Sequence, residues 1–181
     1  MAFTLQESHI DNAGSSYPIT SQFHWRGQSW TTTSAYTLSR VEVNIQKLGT
    51  PGTVYVLIQG VADLGLGLVP DGSTIASGTI DVATISTSYG FVPCDLTVPV
   101  ALNNATQYAI VVHATPVDVT NSITWSLGDD LYAGGAAQYD NNGGNSWDGP
   151  KDADLGFKTY SGEGGGAAGG FMSLNTGYWG A

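Results

Sequence analysis

The feature that most constrains this chain is the strict two-residue alternation of segment 38–46, LSRVEVNIQ. Val41, Val43 and Ile45 share one parity, while Arg40, Glu42, Asn44 and Gln46 share the other. A period of two sends successive side chains to opposite faces of an extended backbone, so this segment reads as a strand with one apolar and one wet face. The turn Gly49-Thr50-Pro51-Gly52 follows, and segment 53–59 (TVYVLIQ) alternates again. The pair predicts a β-hairpin.

The same signal recurs along the chain. Segment 3–7 (FTLQE) reads as a first strand, 9–18 as a turn-rich connection, 21–30 (SQFHWRGQSW) as a second strand and 31–35 as polar loop. Segment 60–70 reads as a Gly/Leu loop with room for a short edge segment, whose GLGL lacks the spacing and following helix of a phosphate loop. Strands are predicted at 73–80 and 91–100, the latter confined to a sheet edge because Pro93 and Pro99 donate no ladder hydrogen bond. The nearly all-apolar segment 108–113 (YAIVVH) predicts a strand buried on both sides. In 122–127, Ile123, Trp125 and Leu127 should face inward. Strands recurring roughly every ten to fifteen residues, with turn signals and no helical period between them, predict an all-β fold. The expected architecture is an antiparallel β-sandwich, jelly-roll-like, followed by a Gly-rich C-terminal tail.

Segment 132–160, YAGGAAQYDNNGGNSWDGPKDADLGFKTY, concentrates what the chain offers for binding. It reads as strand, wide loop, strand, with aromatics flanking a loop rich in Asp and Asn. Tyr132, Tyr139 and Trp147 with Asn141 and Asn142 make a candidate carbohydrate platform, since a ring offers an apolar face and an amide both donor and acceptor. Asp140, Asp148, Asp152 and Asp154, with Asn142 and Asn145, are oxygen ligands of the type calcium takes, on a spacing that is not an EF-hand's. The same residues read first as solvated turn formers.

Catalytic chemistry finds no anchor. There is no G-x-S-x-G, and His9 in a predicted loop, His24 beside Trp25 and His113 at the end of a core strand read as structural. The single cysteine, Cys94, makes no internal disulfide and reads as a half-buried thiol at a strand edge. One Cys and three separated His give no zinc pattern. The acids look loop-borne and solvated, unlike a glycosidase pair. A non-enzymatic protein without a cofactor is expected, calcium being the one metal its residues suit.

Fifteen acids oppose five bases, a formal net charge of −10. Arg26, Arg40, Lys47, Lys151 and Lys158 are scattered, so neither nucleic acid nor an anionic membrane is an expected partner. No window approaches the ~18 apolar residues of a membrane-spanning helix. The N-terminal MAFTLQESHIDN has neither the basic nor the apolar region of a secretory signal peptide, so synthesis in the cytoplasm is expected.

Beyond Tyr160 the composition changes. Segment 161–170, SGEGGGAAGG, reads as a flexible linker. Phe171, Met172, Leu174, Tyr178 and Trp179 follow, and burying a large apolar side chain is worth about 1.5–3 kcal/mol. Residues 162–181 are therefore read as a leash ending in a docking peptide, which docks on this domain or on a neighbouring chain such as a sibling copy in a homo-oligomer. Residues 1–161 make the sandwich domain, with 1–19 as a candidate N-terminal arm.

Several short segments carry a family resemblance: Gly27-Gln28-Ser29-Trp30, Tyr36-Thr37-Leu38-Ser39-Arg40-Val41, Gly49-Thr50-Pro51-Gly52-Thr53-Val54, Ile75-Ala76-Ser77-Gly78-Thr79-Ile80 and Tyr108-Ala109-Ile110-Val111-Val112. Trp125, Tyr132-Ala133-Gly134-Gly135, Gly143-Gly144-Asn145-Ser146-Trp147 and Asp154-Leu155-Gly156-Phe157 complete the set. Over about residues 1–160 the chain resembles the choice-of-anchor R-type β-sandwich module of phage particle and bacterial surface proteins. The resemblance implies a jelly-roll surface domain without catalytic residues. With no signal peptide or sorting anchor recognised, it implies a virion-surface structural protein of a bacteriophage-like particle, a capsid decoration or head-fibre protein made in the host cytoplasm. The alternatives are a carbohydrate-binding or adhesion module and a tail-fibre or baseplate component.

Overall fold

The computed structural model describes residues 2–10, 15–65 and 67–162. In chain order the strands are β1 (Phe3–His9), β2 (Ser15–Ile19), β3 (Trp25–Thr31), β4 (Tyr36–Leu48), β5 (Thr53–Asp63), β6 (Leu68–Ile80) and β7 (Gly90–Leu102). They continue as β8 (Gln107–Thr115), β9 (Ser122–Asp129), β10 (Ala137–Asp140), β11 (Trp147–Lys151), β12 (Ala153–Leu155) and β13 (Phe157–Gly162). The one helical element among the described residues is a 3₁₀ turn, Val82–Thr84, capped by Asp81.

Two antiparallel sheets pack face to face as a sandwich. The first runs β1-β13-β4-β9-β12, with β2 also on β9 and β7 on the other side of β4. The second runs β11-β10-β3-β8-β5-β6. Between them lies a core of alternate residues from both sheets, including Val41, Val43 and Ile45 of β4, Val54, Val56 and Ile58 of β5, and Ile110 and Val112 of β8. Trp30, Trp125 and Phe157 are its largest fully buried side chains. The Trp125 indole keeps its N–H satisfied by donating to the Gly156 carbonyl at 2.8 Å.

The alternation of segment 38–46 is realised, but the hairpin it suggested is not. β4 pairs with β7, β9 and β13, and β5 pairs with β6 and β8. Residues 49–52 carry the chain from one sheet to the other, starting at Gly49 with φ +62°. Alternation tells which face of a strand is buried and says nothing of which strand lies beside it, so two amphipathic strands joined by a short turn fit an arch as well as a hairpin. The hairpin in this region is β5–β6, which pair as far as Asp63 and Leu68, where a loop was expected.

Other boundaries move for local reasons. Residues 21–24 form a turn, closed by the His24 N–H on the Ser21 carbonyl at 2.9 Å, and the second predicted strand begins only at Trp25. Segment 9–18 contains a strand, β2, and His9 ends β1 rather than lying in a loop. β7 is an edge strand that pairs with β4 alone, and β8 is buried between β3 and β5, both as expected. Cys94 is fully buried on β7, and burial pushes its thiol up to about 12. Among the described residues, no helix is long and apolar enough to cross a membrane.

The registers define two poles. At the start of β4, Leu38 faces Ser161 of β13, and Phe3 of β1 faces Gly162, so β1 and β13 reach this pole together. The other end of β4 lies about 40 Å away at ~3.3 Å per residue. There the chain passes through 49–52 into Thr53, which faces Thr115 of β8. Loops 20–24, 116–121 and 141–146 gather at this second pole, because Trp25, Thr115 and Asp140 all end there.

Candidate functional site

Loop 141–146 is built around one carboxylate. Asp140 is buried on the outer face of the six-stranded sheet, and its Oδ1 accepts the backbone N–H groups of Asn142 (2.6 Å) and Gly144 (2.8 Å). Its Oδ2 accepts the N–H of Ser146. An anion wrapped by successive backbone donors fixes a loop that has no strand ladder of its own. Gly143 and Gly144 both take positive φ, +70° and +81°, which glycine adopts without steric cost. At Gly144 a Cβ would lie 2.7 Å from the Trp25 ring, so the loop backbone rests directly on that indole.

Trp25 belongs to a three-ring stack. Trp25 on β3, His113 on β8 and Tyr55 on β5 stand side by side on adjacent strands of the outer face. The Trp25 and His113 rings are 4.4 Å apart at 7°, and the His113 and Tyr55 rings 4.8 Å apart at 9°. Burial lowers the pKa of His113, which favours the neutral imidazole. Beside the stack, Phe23 is 53% exposed, and its carbonyl accepts the Gly143 N–H at 3.0 Å, tying loop 20–24 to loop 141–146. Trp25, His113 and Phe23 border an open depression of about 430 Å³, which Gln22, Asn142 and Asn145 also line.

The inner face at the same pole holds a cationic and aromatic cluster. Arg26 is buried between the Tyr17 and Tyr139 rings, 5.8 and 5.9 Å from their centroids. Its Nη1 donates to the carbonyls of Trp25 (2.8 Å) and Asp140 (3.0 Å) and to Asn141 Oδ1 (3.2 Å). Desolvation draws its pKa down to about 10. Lys151 lies 4.6 Å over the Tyr139 ring and pairs with Asp148 at 3.6 Å.

The structure disperses the residues singled out in the sequence. Trp147 is only 7% exposed, packed with Val69, Ala109 and Val111 in a small cluster on the outer face. Tyr139 lies on the opposite face of the same sheet, turned inward beside Arg26. Tyr132 packs edge-on against Phe157, at 5.2 Å, and burial raises its phenol pKa. These three rings therefore form no common exposed platform, because alternate strand positions and the sheet itself separate them. Asn141 is committed to Arg26, whereas Asn142 borders the 430 Å³ depression. Tyr139, Asn141 and Asn142 do share a smaller polar hollow of about 190 Å³.

The acids named as candidate calcium ligands are likewise separated. Asp140 is saturated by its loop. Asp154 is fully buried elsewhere, accepting Gln28 Nε2 (2.9 Å) and the backbone N–H groups of Leu131 (2.9 Å) and Tyr132 (2.7 Å). Asp148 faces Tyr139 and Lys151, while Asp152 is exposed. Among the described residues, no three His, Cys, Asp or Glu side chains converge as metal ligands would. Phe171, Met172, Leu174, Tyr178 and Trp179 lie outside the described residues.

What the sequence reading missed is the stack. Tyr55 stands between buried Val54 and Val56, so its outward parity was legible; His113 ends an apolar run without alternation, and that both rings lie on the Trp25 side of the sheet depends on strand order. No protein-family model matches the chain, and no curated protein matches it.

Proposed function

We propose that this chain is a non-enzymatic structural protein of a phage-like particle, a capsid decoration or head-fibre domain that displays one pole of the sandwich and is attached at the other. The observation that supports this reading is the pairing of Phe3 with Gly162. It brings both flanking strands to one pole, so segment 163–181, with its apolar Phe171, Met172, Leu174, Tyr178 and Trp179, continues from the pole opposite loops 20–24, 116–121 and 141–146. A domain tethered at one end presents the loops of the other outward. The partner is the particle shell or sibling copies of the same chain, and the acidic balance suits neither nucleic acid nor an anionic membrane. The resemblance to the choice-of-anchor R-type module points the same way.

Light scattering of the full chain beside a 1–162 truncation tests it. The full chain should self-associate and the truncation should be a monomer with an unchanged thermal midpoint, since the sandwich core lies within the residues retained. A full chain as monomeric as its truncation contradicts the assembly role.

A further inference from the structure

We propose that the depression bordered by Phe23, Trp25, His113, Asn142 and Asn145 binds a neutral oligosaccharide. The aromatic part is rigid before any ligand arrives. Trp25 is held on one face by the parallel His113 ring at 4.4 Å and on the other by the backbone of Gly144. A site whose rings are already fixed loses little conformational freedom on binding. Phe23 adds an exposed apolar surface beside them, on a loop that the Gly143 N–H pins in place.

The polar groups are amides with capacity to spare. Among the described residues, the side chains of Asn142 and Gln22 make no hydrogen bond. Asn145 donates its Nδ2 to the carbonyls of Asn142 (3.0 Å) and Gly143 (3.3 Å), which leaves its Oδ1 as an acceptor. Unused amide donors and acceptors beside the exposed Phe23 ring and the edges of Trp25 and His113 suit a ligand that carries hydroxyls on its rim and C–H groups on its face.

Charge narrows the class. No Asp, Glu, Lys or Arg borders the depression, and His113 is held towards its neutral form. An anionic ligand would approach a protein of net charge −10 against its field, and a cationic one would find no carboxylate bordering this depression. A neutral, polyhydroxylated molecule meets neither obstacle.

The length of the ligand follows from Phe23. It borders both this depression and a second one of about 390 Å³, lined by Thr20, Pro116, Val117, Val119 and Asp118, whose carboxylate already accepts the N–H groups of Thr120 and Asn121. Two hollows sharing one aromatic residue suit adjoining sugar units, so affinity should rise from monosaccharide to oligosaccharide.

The inference stands apart from the particle reading, because it fails on a glycan array whereas that reading fails in light scattering. The full chain is applied to an array of neutral, sialylated and sulfated glycans, and the best neutral oligosaccharide is then titrated by calorimetry. Saturable binding to neutral glycans is expected, at least tenfold weaker in Phe23→Ala and in the Asn142→Ala/Asn145→Ala pair. It should be unchanged in Leu5→Ala on β1. Phe23 is largely exposed, so its replacement should leave the thermal midpoint in place. Failure to retain any glycan, retention of acidic glycans only, or full affinity in folded Phe23→Ala would each overturn the proposal.

Discussion

Asp140 and Asp154 lie fourteen positions apart (154 − 140) in one acidic segment, and both are buried carboxylates that accept three N–H donors. They differ in where those donors come from. Asp154 collects Gln28 from the facing sheet and the backbone of Leu131 and Tyr132, so it joins β12 to β3 and to the loop after β9. Gln28 completes the link by accepting the Leu155 N–H at 2.6 Å. Asp140 draws on Asn142, Gly144 and Ser146 alone, all within six residues of itself. One carboxylate therefore holds the sandwich together and the other shapes a loop on its surface. A buried acid is a structural part in both cases, and the sequence distance of its donors decides whether its loss is global or local.

The largest effect should come from Asp154→Ala. It strands the Gln28 amide of the facing sheet and the Leu131 and Tyr132 N–H groups of the loop after β9 at once, and a loss of about 3–5 kcal/mol is expected in chemical denaturation. Asp140→Ala should lower global stability less, by about 1–3 kcal/mol, while releasing loop 141–146 and with it the glycan affinity proposed above. Equal losses from the two variants would break the distinction.

The smallest effect is one of pH. Burial lowers the pKa of His113 below its ordinary 6.5, so as the pH falls the unfolded chain takes up that proton first. Its contribution to stability is whole above about pH 6.5 and is lost as the pH drops through that value towards the lower folded pKa. Stability measured from pH 7 down to pH 5 should fall more steeply for the native protein than for His113→Phe, which keeps a ring in the stack. His24, whose pKa is also lowered by burial, maintains part of the slope in the variant.

These contrasts mark how far the sequence could be read. Alternation identified the buried faces of β4 and β9 because Val41, Val43, Ile45, Ile123 and Trp125 repeat with the pleat, and the sandwich class follows from many such strands. It did not reveal that β4 and β5 belong to different sheets, since a four-residue link serves an arch as well as a hairpin. The acids of 140–154 looked alike as loop residues, yet Asp152 is exposed while Asp154, two positions on, is fully buried. Composition does not distinguish them; the position of Gln28 does. Trp147 looked like a platform because aromatics near amides suit one, but it packs against Val69 and Val111 from distant strands. The aromatics of the proposed site come from β3, β8 and the loop before β3, and only the assembled sheet brings them together.

Native-state amide hydrogen exchange on the full-length protein tests the central distinction most directly. The amides of Leu131 and Tyr132 should be protected to near the global unfolding free energy. Those of Asn142, Gly144 and Ser146 should be protected too, but should open at a distinctly lower free energy. If both sets exchange together, the loop is not a separate unit and the account is wrong. If the second set is unprotected, Asp140 does not hold the loop at all.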